Sequence, residues 1–186
     1  FWEVTFDDDD TVEYYEWHEL LRYRANRPIV RNDRWGRTLY ALELFAGESI
    51  VAQEFAERKW SVKSIDIHPD SYATNILDIM KARYKDIGFV PDFIWASPPC
   101  TTCSNLAGGH HRNCKTGEFE KTPEAIEHNQ LMAQMMYIMR WAKKKNPDLI
   151  VVIENPQGQM QKLPVMKEFM QSFRLELATV DYCAFG

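Results

Sequence analysis

Four short groups of residues have the types and spacing to do chemistry together. The first is Cys100, which follows an apolar run, Phe93-Ile94-Trp95-Ala96, and two prolines, Pro98 and Pro99. Neither proline can donate to a sheet ladder, so the run reads as a buried strand that stops there and carries a thiol on a stiff turn. A thiol in such a place is a nucleophile, a metal ligand or core filler, and only its thiolate form is reactive. The second group is Glu154-Asn155-Pro156, where an acid leaves another apolar strand, Val151-Val152-Ile153, and becomes a credible proton donor. The third is Phe45-Ala46-Gly47-Glu48-Ser49, a turn between a strand and a helix, where a nucleotide-like ligand meets backbone N–H groups. The fourth consists of two acids that close strand-like segments, Asp66 with Ile67 after it and Asp78 with Ile79 after it.

The third and fourth groups define a cofactor chemistry. Only one glycine stands in the Phe45–Ser49 turn, so the three-glycine fingerprint that lets a backbone approach a pyrophosphate is missing. Asp66, nineteen residues after Gly47, is placed to accept both hydroxyls of a ribose. A glycine-poor turn with a ribose carboxylate suits a nucleoside without phosphates, and S-adenosyl-L-methionine is the expected cofactor. Asp78 would accept from the adenine amino group, with Ile67, Ile79 and Pro99 counted in the same site. The plainer alternative makes Gly47 a helix-entry turn and both acids caps. A zinc reading of Cys100, Cys103, His110, His111 and Cys114 is disfavoured by irregular spacing, and burial is the expected role of Cys103 and Cys183.

The elements that must position these residues alternate from Thr38 onward. Strands are expected at Leu39–Phe45, Trp60–Ile67, Asp92–Ala96, Leu149–Ile153 and Leu175–Tyr182. Helices are expected at Ser49–Lys59, Ile79–Tyr84, from Thr122-Pro123 to Lys145, and at Met160–Phe173, the third burying Ile126, Leu131, Met135, Ile138 and Trp141. Strands separated by helices imply an α/β fold with a doubly wound, mostly parallel sheet, whose ligand crevice lies beyond the carboxyl ends of the strands.

Size and charge are consistent with one such domain and a small appendage. The chain has 186 residues, 45% hydrophobic and 26% charged, and no apolar run of membrane-spanning length. Four cysteines are too few for a disulfide framework, so an intracellular setting is expected: nuclear in a eukaryote, otherwise cytoplasmic or viral. The net charge of −5 is unevenly spread: residues 1–20 hold eight acids and no Lys or Arg, which leaves 19 acidic against 22 basic residues in the remainder. That balance is compatible with a nucleic-acid partner. Residues 1–20 alternate apolar and polar around Asp7–Asp10, the signature of an acidic hairpin. The pattern resembles the last strands of Tudor-like chromatin-reader barrels, which would make chromatin a partner of this segment. Residues 21–38, with six arginines, Pro28 and Gly36, read as a basic linker or strap.

Leu42-Glu43-Leu44-Phe45-Ala46-Gly47, Asp66, Asp78, Pro98-Pro99-Cys100 and Glu154-Asn155-Pro156 together resemble the cytosine carbon-5 DNA methyltransferase family over residues 39–186. The resemblance implies a class I, Rossmann-like methyltransferase domain acting on cytosine in DNA. It also implies that Cys100 attacks carbon 6 of the base, that Glu154 engages N3 with Asn155 beside it, and that Phe45, Ala46, Gly47, Glu48, Ser49, Asp66, Ile67, Asp78, Ile79 and Pro99 hold the cofactor. Ser49 stands where the family commonly has a second loop glycine, Thr101 and Cys103 where Gln and Phe usually follow the cysteine, and Pro156 in place of the usual Val. The family's later arginine motif, target-recognition region and closing helix have no counterpart before Gly186, so residues 39–186 are expected to be the amino-terminal part of such a domain, inactive by itself. Two rival readings are an amino methyltransferase, which would want an aromatic where Cys100 stands, and a non-catalytic chromatin protein using the fold as scaffold.

Overall fold

A computed structural model describes residues 2–6, 9–15, 37–107 and 109–180, with only the backbone of the first two segments. In that amino-terminal part β1 (Trp2–Phe6) and β2 (Asp9–Tyr15) pair antiparallel, Trp2 opposite Tyr15 and Val4 opposite Glu13. The basic segment 21–36, Gly108, Asp181, Tyr182 and Cys183 lie outside the described residues.

The rest of the description is a five-stranded, all-parallel sheet built from β3 (Tyr40–Leu44), β4 (Ser61–Asp66), β5 (Asn75–Ile76), β6 (Phe93–Ala96) and β7 (Ile150–Ile153). The spatial order is β5-β4-β3-β6-β7. Alternation divides the strands' side chains between two faces. Leu42, Leu44, Ile94 and Ala96 face the methionine-rich α3 (Pro123–Lys145) and Phe169 of α4 (Pro164–Phe173), whereas Ala41 and Phe93 pack with Phe55 of α1 (Ile50–Glu57) on the opposite face. Helices on both faces of a parallel sheet make this the Rossmann-like, doubly wound α/β fold expected of a class I methyltransferase.

Local signals explain the helix boundaries. Thr122 caps α3 by accepting from Ala125 N–H at 3.3 Å, Pro123 occupies the first turn, and Lys143, Lys144 and Lys145 complement the carboxyl end of the helix dipole. Met132, Met135, Met136 and Met139 recur at helical spacing and form its buried stripe. At the amino-terminal edge of the sheet, the Asp92 carboxylate receives Arg37 through both terminal nitrogens (2.8 and 3.0 Å), Tyr40 N–H (2.9 Å) and Asn146 Nδ2 (3.0 Å). This clamp fixes the start of β3 against the end of α3, away from the chemistry.

Several boundaries differ from those expected. No helix covers residues 79–83; Asp78 opens an isolated turn there, and α2 forms instead at Tyr84–Ile87, where Asp86 Oδ2 accepts from Arg83 N–H at 2.8 Å. The Met160–Phe173 helix is divided by Pro164 into a 3-10 turn (Met160–Lys162) and α4. Ile126 is 46% exposed, because it lies off the face on which its neighbour Ala125 is wholly buried. Residues 175–180 form no strand, so the expected strand at Leu175–Tyr182 is absent over its described part. Among the described residues no helix is long and apolar enough to cross a membrane.

Candidate active site

The chain runs β3→β4→β5 toward one edge of the sheet, then crosses back to place β6 on the other side of β3. The strand order therefore reverses between β3 and β6. In a parallel sheet a crevice opens at that switch, beyond the carboxyl ends of the two strands. The register puts the candidate residues there: Leu44 pairs with Ile65 and with Ala96, and Ala96 with Ile153. Phe45, Asp66, Ser97 and Glu154 thus come off one sheet edge at one level.

On the β3/β4 side, the Asp66 carboxylate accepts from Gly47 N–H at 2.9 Å and His68 N–H at 2.8 Å, and Tyr72 N–H donates to the Gly47 carbonyl at 2.9 Å. The loop after β3 is held in an unusual conformation. Phe45, Gly47 and Ser49 all have positive φ, at 58°, 50° and 54°, although two of them carry a side chain. Ser49 therefore adopts the backbone a second glycine would take, and its hydroxyl reaches Ser64 Oγ at 3.1 Å in compensation. Ala46 and Ser49 are buried, while Gly47 and Glu48 are exposed. A Cβ built on Gly47 would meet no atom within 4 Å, so the loop faces open space.

A residue outside the expected site supports this loop. Glu43, buried in the middle of β3, accepts from Ala52 N–H at 2.8 Å and so satisfies a free donor of the first turn of α1. Burial raises its carboxyl above the ordinary range, against the lowering effect of the Ala52 and Val51 N–H groups.

Asp78 lies beyond β5 at the outer edge of the sheet. One of its oxygens accepts from Met80 N–H at 2.9 Å, and the other pairs with Lys81 at 3.5 Å. Ile79 is buried in the core, whereas Ile67, Tyr72 and Ile76 are exposed apolar side chains on the segment that surrounds Asp66. The sequence expectation did not include Tyr72 or Ile76.

On the β6/β7 side, Asn155 Nδ2 donates to the Pro98 carbonyl at 3.0 Å, which joins the Glu-Asn strand end to the Pro-Pro-Cys strand end. Its Oδ1 is buried without a hydrogen-bond partner, leaving an acceptor free for a ligand or water. Cys100, half-buried, begins a tight turn in which its carbonyl accepts from Cys103 N–H and Ser104 N–H, both at 2.8 Å. Cys103 is 1% exposed, as expected of a buried thiol. Burial pushes the Cys103 and Cys114 thiols up, with the Arg112 cation acting in the opposite direction on both. His110 and His111 stack edge to face, and among the described residues no three or more His, Cys, Asp or Glu side chains are placed to hold a metal ion.

Three further residues tie the two strand ends together. Gly158 pairs with Ser104, and Gln159 N–H donates to the Cys103 carbonyl at 2.6 Å. The Gln159 side chain accepts from Cys114 N–H at 2.9 Å and donates to the Arg112 carbonyl at 3.2 Å. Arg112 is wholly buried and reaches Thr102, whose hydroxyl in turn meets His128 Nδ1 at 2.9 Å. Burial lowers the His128 pKa, and the Arg112 cation lowers it further. With Arg112 donating to Thr102 Oγ1, the hydroxyl hydrogen goes to the Nδ1 of a neutral His128. None of Gly158, Gln159 and Arg112 carries a local sequence signal; the side-chain and cross-strand contacts described for them reach partners seven or more residues away.

The chain is thus an α/β domain whose strand order reverses between β3 and β6, with a carboxylate at the end of β4 and a cysteine and an acid following the adjacent ends of β6 and β7. No model of a known protein family matches the chain. Over 157 residues it is 26% identical to a protein of Frog virus 3 (isolate Goorha) named "Probable DNA (cytosine-5)-methyltransferase", an alignment covering 78% of this chain and 63% of that protein. The chain therefore spans a little under two thirds of the length of the relative it matches.

Proposed function

We propose that this chain carries the catalytic core of a DNA cytosine-5 methyltransferase, with Cys100 as nucleophile, Glu154 as the acid at N3 of the base and S-adenosyl-L-methionine as cofactor. The observation that carries the reading is the Asn155–Pro98 hydrogen bond, which fastens a Pro-Pro-Cys turn to a Glu-Asn strand end beside the sheet switch. The name of the viral relative supports the same reaction class.

The cofactor fits the residues present. The Asp66 carboxylate uses one acceptor position on each oxygen for backbone N–H groups, which leaves one on each for a ribose diol. The open space before Gly47 and the apolar Ile67, Tyr72 and Ile76 suit a nucleoside and its ring. When bound there, S-adenosyl-L-methionine supplies an electrophilic methyl group.

The chain's own residues prepare the base to receive it. Carbon 5 of cytosine is a poor nucleophile, so the ring is activated by addition of the Cys100 thiolate to carbon 6, while Glu154 gives a proton to N3 and relieves the charge that develops there. Carbon 5 is then electron-rich. After it has been alkylated, a base takes its proton, the Cys100 thiolate is expelled, N3 returns its proton to Glu154 and the aromatic ring is restored. Because these atoms are stacked within a duplex, the base is flipped out, at a cost of a few kcal/mol. Cytosine-containing DNA is the proposed substrate, and chromatin a proposed partner of the amino-terminal hairpin.

The reading is tested by incubating the full-length protein with DNA and tritiated S-adenosyl-L-methionine and then identifying the labelled base. Label in 5-methylcytosine supports it. Label in N4-methylcytosine or N6-methyladenine assigns the site to amino-group transfer instead.

A further inference from the structure

Among the described residues Arg112 is the largest side chain fully removed from solvent, at 0% exposure, and it lies in the loop between Cys100 and α3. All five of its N–H groups are matched. Nε donates to the Thr102 carbonyl (2.9 Å), one terminal nitrogen to the Phe119 carbonyl (3.1 Å) and Asn129 Oδ1 (2.9 Å), and the other to Thr102 Oγ1 (2.7 Å) and the Ala125 carbonyl (3.2 Å). Every acceptor is neutral, and among the described residues no carboxylate forms an ion pair with it. A buried guanidinium without a counter-ion is costly to desolvate, and core packing alone would be served as well by a long apolar side chain. What the guanidinium adds is a planar fork that fixes five acceptors relative to one another.

Those acceptors belong to three parts of the chain: Thr102, two residues past Cys100; Phe119, at the far end of the loop; and Ala125 and Asn129, on the first turns of α3. The Arg112 carbonyl also accepts from Gln159, on the segment that follows Glu154. One residue therefore touches the backbone just after the nucleophile, the helix behind it and the segment carrying the acid.

We infer that Arg112 is a positioning residue for the proposed reaction, holding the Cys100 turn against α3 and in register with the Glu154 strand end. This inference rests on the proposed reaction for its catalytic readout, but not for its structural one. Displacement of a reacting group by about 1 Å costs on the order of 10²-fold in rate. That is the loss expected when the fork is removed while the core stays filled.

The test compares wild type, Arg112→Met and Arg112→Lys in the full-length protein. Arg112→Met keeps most of the volume and removes the fork; it should remain folded and bind S-adenosyl-L-methionine with near wild-type affinity, while kcat falls on the order of 10²-fold and KM for DNA changes far less. Arg112→Lys keeps the charge but has three donors at one point, and should recover only part of the loss. Hydrogen exchange provides the independent readout: amides of residues 101–121 should exchange faster in both variants, those of β3 and β4 unchanged. A folded Arg112→Met with wild-type kcat and unaltered exchange overturns the inference. If wild type itself transfers no methyl group, the proposed function fails, and exchange alone decides whether Arg112 pins the loop. Should Arg112→Met not fold, Arg112→Lys decides by the same two measurements, and unaltered exchange with full turnover again overturns the inference.

Discussion

Replacing Gly158 with alanine should separate the two strand ends that carry the proposed chemistry. The position is not one of positive φ, so the constraint is space alone. A Cβ built there would lie 2.0 Å from the Cys103 carbonyl oxygen, 2.9 Å from its carbonyl carbon and 2.9 Å from Ser104 Cα, all backbone atoms that no rotamer change can move. Carbon contacts are optimal at about 3.5–4.0 Å, so the two segments have to part by roughly 1.5 Å. Such a shift would break the 2.6 Å bond from Gln159 N–H to the Cys103 carbonyl and the longer one, 3.4 Å, from Asn105 N–H to the Gln157 carbonyl. Two lost hydrogen bonds at ~0.5–1.5 kcal/mol each and an overpacking penalty of ~1–3 kcal/mol give a destabilisation of about 2–6 kcal/mol. Urea unfolding followed by tryptophan fluorescence measures it, and methyl-transfer assays on the folded variant should show a further rate loss on the order of 10²-fold. A Gly158→Ala protein within about 0.5 kcal/mol of wild type and equally active would refute the claim that these backbones are locked in contact.

Substitutions at three other residues probe the remaining parts of the site. Asp66→Ala should weaken S-adenosyl-L-methionine binding by about 1.5–3 kcal/mol, the worth of hydrogen bonds to a charged group, with an additional loss of order in the Gly47 loop; unchanged affinity in calorimetry would remove Asp66 from the site. Glu43 has a raised carboxyl pKa in the folded state, so its favourable contribution is complete below the unfolded pKa and is lost as pH rises through the folded one. Glu43→Gln keeps an acceptor for Ala52 N–H and should therefore match or exceed wild-type stability at pH 8 but not at pH 4, whereas Glu43→Ala leaves that N–H unpaired and should cost about 1–3 kcal/mol at both; parallel stability–pH curves for wild type and Glu43→Gln would contradict this. Glu154→Gln keeps shape but has no proton to give, so it should slow methyl transfer without lowering the unfolding midpoint, and wild-type turnover by this variant would exclude the acid role.

The parts of the fold that could be read from sequence were those whose signals are local. Thr122-Pro123 and the Lys143–Lys145 run bracket α3 because a cap, a first-turn proline and dipole-matched charges act within a turn of the helix end. Pro98-Pro99 fixed the place where β6 ends, and hence where Cys100 emerges. The short helix was misplaced because Asp78 spends its side chain on an isolated turn, while the helix starts five residues later than expected, where the Asp86 carboxylate accepts from Arg83 N–H. A strand was expected at Leu175–Tyr182, but pairing is a tertiary property and residues 175–180 show none. Within the site, Asp66 and the strand-end residues stood out by type and spacing. Arg112 carries no local signal of its role, and only its burial against Thr102, Phe119 and α3 sets it apart.

The central claim is that Cys100 forms a covalent bond to cytosine, and a fluorinated duplex tests it most directly. In DNA containing 5-fluorocytosine, carbon 5 bears no proton that can be removed after alkylation, so the Cys100 adduct should persist. Full-length protein incubated with that duplex and S-adenosyl-L-methionine should yield a species that survives denaturing electrophoresis, with the base mapped to Cys100 by peptide mass spectrometry. Cys100→Ser should bind the cofactor and give no such species, because a hydroxyl is far less ionised than a thiol at neutral pH. Wild-type protein that methylates cytosine at carbon 5 without forming the adduct, or an adduct mapped to a different residue, would contradict the account.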